Sequence, residues 1–103
     1  MFEAIKNLFK SEKVDYAQLV KDGAIIIDVR TAAEYKKAHI DGAKNIPLAE
    51  FGHRVKEYTN KEEVYITCCT AGMRSASARS IMKRTGYKKV YNGGGWTGLR
   101  AKL

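Results

Sequence analysis

The apolar positions change rhythm along the chain. Phe2, Ile5, Leu8 and Phe9 recur at helical spacing, which predicts a short amphipathic helix over 1–10. Such a stripe docks on the rest of the chain or makes a weak membrane or partner contact. Asp15 is placed to cap a helix from Tyr16 to Lys21, closed by Asp22-Gly23. Ala24-Ile25-Ile26-Ile27-Asp28-Val29 is a nearly continuous apolar run, the pattern of a strand covered on both faces. Thr31-Ala32-Ala33-Glu34 has the form of a capping box, so a helix starts at Ala32 and runs to about Ala38.

After the turn His39-Ile40-Asp41-Gly42, Ala43 to Ile46 is a brief strand stopped by Pro47. Glu50 to Tyr58 reads as a helix with Phe51 and Val55 facing inward. Val64 to Cys68 is a further strand, Cys69 to Gly72 a tight loop, and Met73 to Thr85 a helix stopped by Gly86. Lys89-Val90-Tyr91 is a last short strand, Asn92-Gly93-Gly94-Gly95 a flexible turn, and a helical tail begins at Trp96. Strands alternating with helices predict one α/β domain over 11–103, with a mainly parallel sheet of about five strands and helices on both faces.

Composition narrows the function classes. A chain of 103 residues, 45% hydrophobic and 29% charged, is enough for one folded core. The net charge of +8 draws anions toward the protein. The cations are scattered, as in Lys36-Lys37, Lys83-Arg84 and Lys88-Lys89, with no basic run interleaved with aromatics. That argues against specific nucleic-acid binding. The first residues lack the apolar core of a secretory signal, and no stretch is long and apolar enough to span a membrane. A cytoplasmic location is expected. The adjacent Cys68 and Cys69 are no disulfide framework, and in a reducing compartment both stay thiols. No His/Cys cluster has metal-ligand spacing, so neither metal nor cofactor is expected.

In parallel α/β sheets, function gathers at the carboxyl ends of the strands. Cys69 stands there, ahead of Thr70-Ala71-Gly72-Met73-Arg74-Ser75 and at the start of a helix. The first N–H groups of that helix have no partner within it, and its dipole adds positive potential. Loop amides in succession form an anion nest. Cysteine pKa values at such sites fall to roughly 3.5–7.5. Arg74 adds a bidentate donor for an oxyanion, and Ser75 a hydroxyl for the sulfur. Cys69 is therefore the candidate nucleophile, with Thr70, Ala71, Gly72, Met73, Arg74 and Ser75 as the substrate cradle.

At these residues the chain resembles the rhodanese family of sulfurtransferases. Ile26-Ile27-Asp28-Val29-Arg30 with Glu34-Tyr35 resembles one family signature, and His39-Ile40-Asp41-Gly42-Ala43-Lys44-Asn45-Ile46-Pro47 a second. Cys69 to Ser75 is similar to the active-site loop, and Gly93-Gly94-Gly95-Trp96 to the closing segment. Asp41, where proline is common, and Cys68, where an aromatic is common, depart from the pattern. The resemblance implies a two-step transfer. The Cys69 thiolate takes a sulfane sulfur from thiosulfate or a persulfide, becomes a persulfide, and passes the sulfur to cyanide, a thiol or a protein cysteine. Such double displacement is ping-pong.

Two neighbouring cysteines leave a second register open. From Cys69 the loop reads Cys-x4-Arg; from Cys68 it reads Cys-x5-Arg, the spacing of cysteine phosphatases and arsenate reductases built on the same fold. The position of Gly72, and Thr67 where phosphatases carry histidine, favour Cys69. A non-catalytic sulfur carrier or partner-binding module is the third reading. Asp28, Arg30 and Trp96 are possible supporting residues: Asp28 orders the loop or holds Arg30, Arg30 pairs with Glu34, and Trp96 walls the pocket or packs on the sheet. His39 is expected to brace the turn before Gly42.

Overall fold

The computed structural model describes residues 13–103. The stripe of Phe2, Ile5, Leu8 and Phe9 lies outside the described residues. The capping signals act where the sequence places them. Helix α1 spans Tyr16–Lys21, with the Asp15 carboxylate accepting from the Gln18 N–H at 3.0 Å. Helix α2 spans Ala32–Lys37 behind a complete capping box: the Thr31 hydroxyl accepts from Glu34 N, and Glu34 Oε1 accepts from Thr31 N. Strand β1 is Ile25–Asp28, β2 is Lys44–Asn45 and β3 is Val64–Cys69. Helix α4 is Met73–Arg84, β4 is Lys89–Gly95 and α5 is Trp96–Ala101.

Two expectations change. The segment read as one helix over Glu50 to Tyr58 is a 3-10 turn at Leu48–Glu50, a single α-turn, α3, at Phe51–Arg54, and another 3-10 turn at Val55–Glu57. Gly52 and the β-branched Val55 weaken a helix there, while Phe51 and Val55 still bury their side chains. The run Asn92 to Gly95, read as a flexible turn, is the second half of β4.

All strands are parallel, in the order β2-β1-β3-β4. The four strands of the described residues come close to the expected number. Strand periodicity then sorts side chains by face. Ile27, Val29, Tyr65 and Cys69 join Phe51, Val55, Ala78 and Met82 under α3 and α4. Ile26, Ile66 and Cys68 join Ile40, Ala43 and Leu99 on the other face, with Tyr16, Leu19, Tyr35 and Trp96 from α1, α2 and α5 packed against them. Among the described residues, no helix is long and apolar enough to cross a membrane.

Candidate active site

Cys69 is the last residue of β3, and α4 begins four residues later at Met73. Gly72 makes that reversal possible. Its φ of +96° lies in the left-handed region, which a side chain would strain. No side chain of the usual capping type closes the N-terminus of α4. The Cys69 sulfur fills that place: Gly72 N donates to Sγ at 3.0 Å and Ser75 N at 3.4 Å. The Ser75 hydroxyl lies 3.3 Å from Sγ. Burial alone would push the Cys69 thiol up. The Ser75 hydroxyl, then the N–H groups of Ser75, Gly72 and Ala71, outweigh burial and hold it below the ordinary thiol value.

Strand β4 supports the loop from one side. Pairing runs Thr67 with Asn92 and then Cys69 with Gly95, so β4 carries one extra residue beside the nucleophile. A bulge of this kind re-aims the backbone at a functional edge. Gly95 comes so near the loop that a Cβ on it would lie 2.6 Å from the Thr70 carbonyl oxygen. That close approach accounts for glycine at position 95; at 93 a Cβ would run into Leu99 and Ile66, and at 94 the backbone is left-handed with φ of +78°. Asn92 locks the arrangement. Its Nδ2 donates to Gly72 O at 3.2 Å, and its Oδ1 accepts from Gly94 N at 2.9 Å and faces the Ser75 hydroxyl at 2.7 Å.

Cys68 differs in every respect but depth. Its side chain points to the opposite face, into the apolar cluster of Ile26, Ile66 and Leu99. Burial and, after it, the nearby Asp28 carboxylate push its thiol up to about 12. None of the loop amides that reach Cys69 Sγ donates to it.

The remaining predicted residues divide between two places. Ala71 and Gly72 line the nucleophile through their backbone, and Ser75 through backbone and hydroxyl. Met73 projects into solvent with 82% of its surface exposed. Thr70 and Arg74 turn to Glu34. Arg74 Nη1 donates to Glu34 Oε1 at 2.8 Å and Nη2 to Oε2 at 3.2 Å, while Thr70 Oγ1 lies 3.3 Å from Oε2. Arg74 therefore does not offer the open fork expected of it. Its hydrogen bonds, followed by that from the Thr31 N–H, hold the Glu34 carboxyl at about 2.

Asp28, Arg30 and Trp96 gather on the Cys68 face. Arg30 Nε and Nη2 clamp both carboxylate oxygens of the buried Asp28, the shortest contact being 2.7 Å. Arg30 Nη2 also donates to Ala38 O at 2.7 Å. The expected Arg30–Glu34 ion pair is absent, because Asp28 is two residues away and inside the core while the Glu34 carboxylate faces Arg74. Trp96 is layered between Arg30 and Arg100, with guanidinium carbons 4.5 and 4.7 Å from its ring centre. It packs on the sheet rather than against Sγ. His39 stacks on Tyr35, centroids 3.7 Å apart, with Nδ1 2.7 Å from Tyr35 O, bracing the turn as expected. Sequence reasoning missed Glu34 as the partner of Arg74, and Asn92 altogether.

A family model described as "Rhodanese-like domain" matches residues 12–102. A protein of Bacillus subtilis (strain 168), YrkF, named as a proposed sulfur carrier, is 48% identical over 67 residues; the match takes in 65% of this chain but only 36% of that protein. Thiosulfate sulfurtransferase PspE of Escherichia coli (strain K12) is 39% identical over 70 residues, 67% of each chain. Among solved structures, one described as rhodanese with anions from E. coli superposes with a TM-score of 0.68 at 36% identity, covering 73% of this chain and 89% of that one.

Proposed function

The chain belongs to the rhodanese-like domain family, and from that premise we propose that it is a sulfurtransferase carrying sulfur as a Cys69 persulfide. The observation that carries this reading is the convergence of polar groups on Cys69 Sγ: two amides donate to it at 3.0 and 3.4 Å, and the Ser75 hydroxyl lies 3.3 Å away. Groups placed this way hold the thiol below its ordinary value and favour the reactive thiolate over the thiol.

In the first half-reaction the thiolate attacks the outer sulfur of a sulfane donor. The new S–S bond forms as the donor's own bond to that sulfur breaks, and the electron pair leaves with sulfite or with a thiolate. In the second, the nucleophilic acceptor attacks the outer sulfur of the persulfide and Cys69 departs as a thiolate. Each step exchanges one S–S bond for another bond to the same sulfur, or for the C–S bond of thiocyanate when cyanide accepts. The amides of Ala71, Gly72 and Ser75 stabilise the anion throughout, as donors aimed at developing charge do. A reducing compartment such as the cytoplasm suits this chemistry, since oxidation removes the nucleophile.

The phosphatase or reductase reading would place Cys68 at the head of the loop. It has no comparable support: that thiol lies on the other face and is pushed up to about 12. A binding module without turnover has no use for an activated sulfur. Initial rates measured over a grid of donor and cyanide concentrations test the proposal. Parallel double-reciprocal lines are expected. Hydrolysis of an aryl phosphate with no sulfur transfer from any donor would overturn it.

A further inference from the structure

The loop's one guanidinium is already engaged. Both terminal nitrogens of Arg74 lie on the Glu34 carboxylate, and Nη2 also donates to Thr70 Oγ1 at 3.1 Å. Glu34 is itself tethered, because its Oε1 accepts from Thr31 N at the start of α2. The pair is about one-third exposed, with side-chain exposures of 35% and 36%, so it lies at the rim of the cradle. Beneath it, Arg30 is matched by the buried Asp28. Within these two pairs every positive charge has a negative one at contact distance. Within the described Cys69–Ser75 loop, what remains for an incoming donor is the ring of amide dipoles around the Cys69 sulfur.

Donors differ in how much charge they bring to that ring. Thiosulfate arrives as a dianion. An organic persulfide arrives neutral or as a monoanion and carries an apolar carbon group. Like charges repel, and the repulsion grows with the product of the charges. An uncompensated arginine would offset it for a dianion; a neutralised one does not. Met73, exposed at 82% in the first turn of α4, offers apolar surface that an organic group can cover and an inorganic oxyanion cannot.

We propose that Glu34 determines donor specificity: by holding Arg74, it tunes the site to organic persulfides, small-molecule or on a protein cysteine, over divalent inorganic sulfane anions. The inference rests on the sulfurtransferase reading and specifies its donor class. Glu34→Gln is the direct test. Glutamine keeps the capping acceptor but frees Arg74 of its counter-charge.

The quantity to read is the ratio of kcat/KM for thiosulfate to that for 2-mercaptoethanol persulfide, which carries no charge beyond that of the persulfide itself. The wild-type ratio is expected below one, and Glu34→Gln should raise it about tenfold at low salt, with the gain shrinking as ionic strength rises. Arg74→Gln, which leaves Glu34 unpaired beside the thiolate, should move the ratio the other way and guards against a folding defect in the first variant. An unchanged ratio in both variants, or a wild-type protein that prefers thiosulfate, overturns the inference while leaving sulfur transfer intact. Failure of both donors to load Cys69 overturns the underlying reading, and this inference with it.

Discussion

Cys68 and Cys69 share a strand and a peptide bond, and both are almost wholly buried. Their surroundings are opposite. Cys69 faces three loop amides and a hydroxyl at the mouth of α4, and Cys68 faces aliphatic side chains and a carboxylate. Strand alternation alone creates the difference, since successive side chains leave a sheet on opposite sides. Burial does not decide whether a thiol is reactive; the dipoles waiting at its sulfur do. The pH dependence of stability should therefore split. Cys69, with its pKa lowered by folding, stabilises the fold above the ordinary thiol pKa and loses that contribution as pH falls through its lowered value. Cys68, with its pKa raised, costs stability as pH rises above the ordinary thiol value, because the unfolded chain ionises first.

The contrast can be broken in steps. Removing the nucleophile with Cys69→Ser should lower sulfur transfer by about a thousandfold or more, measured as thiocyanate formation. Gly95→Ala keeps both thiols but forces the loop away from β4. Displacing the amides in this way should cost on the order of a hundredfold in kcat/KM. Ser75→Ala deletes one donor and leaves the amides. About a tenfold loss at neutral pH is expected, with the alkylation midpoint of Cys69 moving up in pH, as rates with iodoacetamide will register. Cys68→Ala should change transfer least, by less than about twofold, while lowering stability in urea by about 1 kcal/mol. A large loss of transfer in that variant would return the nucleophile's identity to Cys68.

Much of the scaffold was legible in the sequence because its signals are local. Asp15, Thr31 and Gly86 mark element ends by chemistry that needs no tertiary partner, and the apolar runs of β1 and β3 identify themselves. The cysteine loop was legible for the same reason: strand, glycine turn and helix start are consecutive. The misreadings share a different cause. Asn92 to Gly95 reads as a turn because glycine has no side chain to announce a strand, and only pairing with β3, a distant segment, makes it one. Glu34 finds Arg74 forty residues away. The capping box fixed its backbone role but gave no sign of its partner. Trp96 was undecided until the fold layered it between Arg30 and Arg100.

The central claim is that sulfur resides on Cys69. Loading the protein with excess persulfide or thiosulfate, blocking free thiols and mapping peptides by mass tests it directly. One additional sulfur atom on Cys69, with Cys68 unmodified, is the result predicted here. A sulfur adduct on Cys68, or none on either residue after exposure to both donors, would contradict it.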